Sequence, residues 1–432
     1  MAVFAVALAA FLVPGRPSAD LLGHGGMVRA IDFSADGRRV VTGSFDFTAI
    51  VWEFEDQREI AVLDGHAGPV TSVAYLADGR VVTAGDDWKV LVWRLGGAAP
   101  EIALRLEGHR HKVMSVDASA DGRVAVSGGW DRTVRVWDLR NGAEVRLIKT
   151  PSPVNVVAMV GAGGLVAVGG HDRVVRLYDI NTGRAKGVLE GHRMGITDIA
   201  VAPDGQRLLT ASIDKTLRLW SLDTLKPLKT YERHDNQVYA VGYMPDGKSA
   251  ISAGRDGYVI QWDLATGKVR RAIQAHNTIA WSVGISPDGR FVVSGSSDDS
   301  ARVWHVATGD RIGTAGDAAS GEPKPWLQSD HPGAELFKKC ARCHALSENG
   351  TRRSGPHFAG LFGRRVGTVP GYRYSDALKG RDFVWNEDTL FKLFDVGPDK
   401  FLPGTKMPVQ RVPNREKLAQ LVDYLKELTA RP

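Results

Sequence analysis

Only two of the 432 residues are cysteine, so no disulfide framework ties distant parts of this chain together. Cys340 and Cys343 stand three positions apart with His344 directly after them, which points to a cofactor rather than a crosslink. Long apolar runs are equally scarce. The first, Ala2 to Val13, would span about 18 Å as a helix, short of the roughly 30 Å of a bilayer core. No Lys or Arg precedes it, yet residues 14–19 are small or turn-forming, so residues 1–19 read as an export signal cleaved near Ala19. No other segment is long and apolar enough to span a membrane, and no integral membrane span is expected. Disorder and a multi-span membrane protein are both disfavoured, because 43% hydrophobic and 24% charged residues are ordinary for globular protein. At about 100 to 200 residues per domain, the length allows two to four domains or one large repetitive one.

A large charge of one sign is also missing, but the balance is uneven. The whole chain carries 55 basic and 49 acidic side chains, for +6. Residues 331–432 hold 18 basic and 11 acidic of these, or +7, which leaves the rest at −1. The positive field therefore belongs to the C-terminal quarter, where it suits nucleic acid, anionic lipid or an acidic protein.

What the chain has in abundance is a repeat. Strings such as SGGWDRTVRVWD, ASIDKTLRLW and SAGRDGYVIQWD place an Asp six residues before an aromatic. The pairs are Asp46 and Trp52, Asp87 and Trp93, Asp131 and Trp137, Asp172 and Tyr178, Asp214 and Trp220, Asp256 and Trp262, and Asp298 and Trp304. Successive aromatics lie 41, 44, 41, 42, 42 and 42 residues apart. In phase with them run His24, His66, His109, His192, His234 and His276, and a hydroxyl four residues before six of the Asp. Period-two apolar runs and Asp-Gly turns fill the intervals, so each unit reads as about four short antiparallel strands.

Residues 20–312 closely resemble WD40 repeats, which implies a seven-bladed all-β propeller. In that family the repeated His, Ser/Thr, Asp and Trp form a buried network, so these residues are read as structural rather than metal-binding. The fourth unit lacks three of the parts together: Val168 replaces the hydroxyl, Tyr178 the Trp, and prolines at 151 and 153 lie where the His belongs. A cooperative network predicts this joint loss. WD40 propellers more often dock partners than catalyse, commonly through the residue before the repeated Asp. Of the residues at that position, Phe45, Trp130 and Arg255 have the chemistry enriched at binding hot spots.

Beyond the repeat, residues 313–331 are rich in Gly, Ala, Ser, Asp and Pro and read as a linker. Ring closure has two candidate sources for the outer strand of the last blade, Arg311 to Ala315 or Asp20 to Leu22, and the C-terminal source is favoured. Cys340, Cys343 and His344 form the C-x-x-C-H pattern of c-type haem attachment, in which two thiols add to the porphyrin vinyl groups. A thioredoxin-like redox pair is the competing reading, but its βαβ context is missing. Met407, in PGTKM, is the only Met after Met244.

With GLFGRRVGTVPGYRYSDALKG, VWNEDTLFKLF and REKLAQLVDYLKEL, residues 332–432 resemble the small all-α class I cytochromes c. The resemblance implies one covalent haem c with His344 and Met407 as axial ligands, and Pro356 as carbonyl partner of His344. It further implies Arg364, Tyr374 and Trp385 around the propionates, Thr405 near the Met, and Leu421 and Tyr424 packing the last helix on the first. Leu378 and Leu393 depart from the family's Asn and Tyr. Lys339, Lys400 and Lys406 match positions around the haem edge and suggest docking to an acidic redox protein; nucleic acid is disfavoured.

His/Met ligation leaves no open iron site and favours electron transfer. Covalent attachment occurs outside the cytoplasm, so the expected location is the periplasm. The favoured reading is a mono-haem carrier with a docking propeller. An oxidoreductase whose propeller holds substrate, with the haem as relay, is the alternative, and redox signalling through the propeller interface a third. Replacing both thiols, Cys340→Ser with Cys343→Ser, is expected to abolish covalent haem, so haem staining that persists on a denaturing gel would refute the attachment assignment.

Overall fold

A computed structural model describes residues 20–430 apart from 98, 162–163, 313–324, 328, 342–343, 349–354, 371, 373, 375–377, 379, 404, 406 and 408–410. The expected export signal, most of the expected linker, Cys343 and Lys406 therefore lie outside the described residues. Among the described residues twenty-eight strands, β1 to β28 in chain order, form seven antiparallel four-stranded sheets. The first strand of each sheet is innermost: β1 (Val28–Phe33), β5 (Val70–Tyr75), β9 (Val113–Ala118), β13 (Val154–Val160), β17 (Ile196–Val201), β21 (Val238–Tyr243) and β25 (Ala280–Ile285). Each packs on the next, and β25 returns to β1, closing the ring. Middle strands are sandwiched between neighbouring blades, so RVVTGS at Arg39–Ser44 is buried at five consecutive positions rather than alternately. Outer strands face water on one side, and VRRAIQ at Val269–Gln274 alternates accordingly.

Six blades carry the repeated network. In the third, His109 Nδ1 bonds Asp131 at 2.9 Å, His109 Nε2 meets Ser127 Oγ at 2.8 Å, and Trp137 Nε1–H donates to Ser127 Oγ at 2.8 Å. Because the carboxylate only accepts, Nδ1 carries the proton, and the hydroxyl donates to Nε2 while accepting from the indole. Thr42, Thr83, Thr210, Ser252 and Ser294 do the same in blades one, two, five, six and seven. Burial pushes the Asp131 carboxyl up, but the bonds from His109 and from the Arg110 backbone N–H outweigh it and hold the group well below the usual carboxylate range. In blade four Arg176 pairs with Asp172 at 2.6 Å in place of the missing His.

A second set of carboxylates staples the inner strands. Asp32 accepts the backbone N–H of Tyr75 at 2.7 Å, Asp117 that of Met159 at 2.7 Å, and Asp198 that of Val241 at 2.8 Å, each from the following blade. Burial dominates over these donors and raises Asp32 to about 7 and Asp117 and Asp198 to about 6.

Closure corrects the single-source expectation. β28 (Arg311–Ile312) pairs with β27 (Ala301–His305) at Val303 and Trp304, as the favoured source requires. Leu21 from the other end pairs with Ala301 of the same strand, its N–H donating to the Ala301 carbonyl at 2.9 Å. The Arg311 guanidinium binds the Asp20 carboxylate and joins the two pieces. Both ends of the propeller thus build the edge of blade seven.

The C-terminal body has four α-helices among its described residues: α1 (Ala334–Cys340), α2 (Glu387–Val396), α3 (Pro398–Phe401) and α4 (Arg415–Thr429). Asn386 and Thr389 form a capping box at the start of α2, and Asn414 caps α4. Leu418, Leu421, Val422, Leu425 and Leu428 recur at helical spacing and are buried on one side of α4. α1 crosses α4 so closely that a Cβ on Gly333 would lie 2.1 Å from the Gln420 carbonyl oxygen. Phe337 meets Tyr424 edge-on there, at 5.7 Å. The expected linker is not a connector along its whole length, because Trp326, in a 3-10 turn at Pro325–Leu327, packs on Phe337 in this core.

Ser127→Ala leaves a buried imidazole nitrogen and an indole N–H without their shared partner. We expect the propeller's urea unfolding transition to lose about 2–3 kcal/mol. Tyr178→Trp in blade four is expected to gain nothing comparable, since Val168 offers no acceptor.

Candidate functional site

The last residue of α1 is Cys340, which is buried. The His344 N–H donates to the Cys340 carbonyl at 3.0 Å. Both side chains consequently line the same cavity, of about 780 Å³. His344 Nδ1 sits 2.7 Å from the Pro356 carbonyl oxygen. A carbonyl only accepts, so Nδ1 carries the proton and Nε2 is the ring's lone-pair nitrogen. Phe358 stacks on the imidazole at 4.5 Å and 16°. Gly355 lies against the same ring, and a Cβ there would be 2.3 Å from Cε1. The ring is thus fixed by one hydrogen bond, one aromatic face and one missing side chain.

Met407 lines the cavity too. Its backbone N–H donates to Thr405 Oγ1 at 3.2 Å, which ties the two residues together. Leu361, Leu390, Leu393, Phe394 and Leu402 supply apolar wall, and Leu378 and Leu393 stand at its side without the polar groups that Asn and Tyr would bring. Arg364, Tyr374 and Trp385 bring polar groups to the wall, and Asp46, Thr278, Ser297 and Asp299 bring others from the propeller. Arg364 is held by the carbonyls of Ala359 and His357 at 2.6 and 2.8 Å, and desolvation lowers its pKa. Burial raises that of Tyr374, whose hydroxyl accepts the Val369 N–H at 3.3 Å.

This donor set fits a haem. The cavity lies within the roughly 300–1,000 Å³ usual for cofactor pockets; its wall is apolar, with a thiol at one margin, a lone-pair imidazole nitrogen and a thioether in reach of it, and one guanidinium among hydroxyl and indole groups for carboxylates.

The remaining sequence-derived residues scatter. Lys339 lines the cavity, and Lys400 is exposed at the end of α3. Phe45 also lines it, from the propeller side. Trp130 does not: it donates to Asn155 at 3.1 Å, with Lys112 over its ring at 5.6 Å and His171 edge-on at 5.5 Å. Arg255 bonds Gln237 at 3.2 Å on another blade. Sequence reasoning overlooked Met27 and Phe47, which join Phe45 in the wall. Phe47 follows the repeated Asp in a left-handed conformation, φ +74°, shared by Trp88, Arg132, Arg173, Lys215 and Asp299 in other blades, so its apolar type at that place was the readable signal.

Comparison with known proteins matches this picture. The family described as WD domain, G-beta repeat matches residues 15–53, 57–94, 101–138, 183–221, 225–263 and 267–305, more than half of the chain, and passes over blade four. The family described as Cytochrome c matches residues 331–429. Cytochrome c of Sesamum indicum is 43% identical over 99 residues, which cover 23% of this chain and 88% of that protein. Those of Nigella damascena and Gibberella zeae are 41% identical over 117 residues and 43% over 98, covering 27% and 22% of this chain and 94% and 92% of theirs. The chain belongs to the WD40-repeat family and carries a C-terminal domain of the cytochrome c family. Its cofactor is covalently attached haem c, which takes up and releases single electrons.

Gly355→Ala drives a methyl group into the His344 ring. We expect about 1–3 kcal/mol lower stability of the C-terminal domain and a reduced haem-to-protein ratio, read by thermal unfolding and by haem assay.

Proposed function

We propose that this protein is a periplasmic mono-haem electron carrier whose propeller serves as a docking scaffold. One observation carries the reading: His344, with its tautomer set by Pro356, and Met407, tied to Thr405, line a single apolar cavity with Cys340 at its margin. In this reading Cys340 and Cys343 would hold the group covalently, and His344 and Met407 would supply its two iron ligands from the protein. The carbonyl of Pro356 makes the imidazole a better donor, while the thioether favours the reduced state. Arg364, Tyr374 and Trp385 would surround the propionates, and the half-buried guanidinium would offset their charge.

No acid–base pair is needed for this work. Leu361, Leu390, Phe394 and Leu402 keep water from the interior, which limits the solvent reorganisation that accompanies each electron. The basic balance of the C-terminal domain favours an acidic redox protein as partner, through Lys339, Lys400 and Lys406. Covalent haem and the short apolar run at the start support export to the periplasm. Among the described residues no helix is long and apolar enough to cross a membrane.

Met407→Ala is expected to open the sixth position, so that added imidazole binds and the midpoint potential falls. An unchanged redox titration would mean that another ligand is used.

A further inference from the structure

The cavity is not lined by the cytochrome domain alone. Met27, Phe45, Phe47 and Pro69 of the propeller line it together with Lys339, Tyr372 and Met407. We infer that the blade-one turn of the propeller is a docking surface for this chain's own cytochrome domain, and that in the docked state it caps the haem crevice. The inference rests on the proposed haem site and adds what regulates access to it.

Blade one differs from the other six in the chemistry this needs. The residues just before and just after the repeated Asp are Phe45 and Phe47. In the other blades the same two places hold Asp86 and Trp88, Trp130 and Arg132, His171 and Arg173, Ile213 and Lys215, Arg255 and Gly257, and Ser297 and Asp299. Only blade one is apolar at both. The Phe45 N–H donates to the Met27 carbonyl at 3.0 Å, so the third apolar residue is fixed beside them. Phe47 and Trp88 share a left-handed backbone, φ +74° and +69°. Trp88 stands 52% exposed, whereas Phe47 is half-buried against the cavity.

Covalent geometry supports the same occupant. Blade seven ends at Ile312 and the C-terminal core begins at Pro325, so twelve residues join them. Twelve residues reach at most about 40 Å, and a tether of that length holds its two ends at roughly millimolar effective concentration. The domains also differ in charge, +7 for residues 331–432 against −1 for the rest, so no net repulsion opposes their approach. A cap of this kind slows electron exchange with small soluble reagents and leaves exchange to partners that dock beside blade one or displace it.

The test is Phe45→Lys with Phe47→Lys in the full-length chain, where two added cations face the basic cytochrome. X-ray scattering and the rate of haem reduction by ascorbate are the readouts. We expect the parent to be compact, with a radius of gyration near 22 Å for a body of this length, and the variant to be larger by about 3 Å or more. Reduction should be at least about threefold faster in the variant, because access is less restricted. Should the variant misfold, hydroxyl-radical footprinting of the parent decides: Phe45 and Phe47 protected relative to Trp88 supports docking, and equal modification overturns it. Unchanged scattering and unchanged reduction in a folded variant also overturn it. A normal haem c spectrum in that case leaves the electron-carrier reading standing; a parent chain without covalent haem would fail that reading, while scattering still decides whether the domains dock.

Discussion

Everything else in the molecule is arranged around the seam in blade seven. There the Leu21 N–H reaches the Ala301 carbonyl, β28 covers Val303 and Trp304, and Arg311 holds Asp20. A propeller without this seam has an uncovered strand edge and a gap between its first and last blades. With the seam made, the chain begins and leaves the ring in the same blade. The cytochrome domain is therefore tethered next to blades seven and one rather than at an arbitrary point on the rim. The lining of the haem cavity reflects that position, since Met27, Phe45 and Phe47 come from blade one and Thr278, Ser297 and Asp299 from blade seven.

The two halves solve the burial of polar groups differently. In the propeller, imidazole, hydroxyl, carboxylate and indole satisfy one another in six copies, and blade four abandons the set and substitutes the Arg176 pair. In the C-terminal domain the half-buried imidazole of His344 has its Nδ1–H satisfied by the Pro356 carbonyl, which sets Nε2 as the ring's donor atom toward a metal. The same residue type is a structural link in one half and a candidate ligand in the other. What differs is the partner opposite Nδ1: a repeated Asp carboxylate in the blades, the Pro356 carbonyl in the haem domain, where His344 lines the cavity.

Much of this was legible in the residue order. The repeat spacing, the Asp-to-Trp interval and the joint losses at Val168, Tyr178 and residues 151–153 predict seven blades and mark the odd one, because a bonded set must be complete to be favourable. Cys340, His344 and Met407 stood out by type and position, and the structure brings all three to one cavity. The split seam was not legible, since two residues at each end are too few to show a strand period. Neither was the role of Trp326, whose aromatic ring sits in a stretch that reads as linker by composition, yet joins the core through Phe337. The separation of Phe45 from Trp130 and Arg255 depends on which blades face the cytochrome domain, a long-range fact that no local pattern encodes.

The central claim is that one covalently held haem, ligated within this cavity, carries one electron per chain. Coulometric redox titration of the purified full-length protein, followed optically and paired with acid extraction of the pigment, measures it most directly. The account predicts uptake of one electron per polypeptide at a single midpoint, with all the haem remaining on the protein after extraction. Uptake of more than one electron, or haem that leaves the chain in acid solvent, would contradict it.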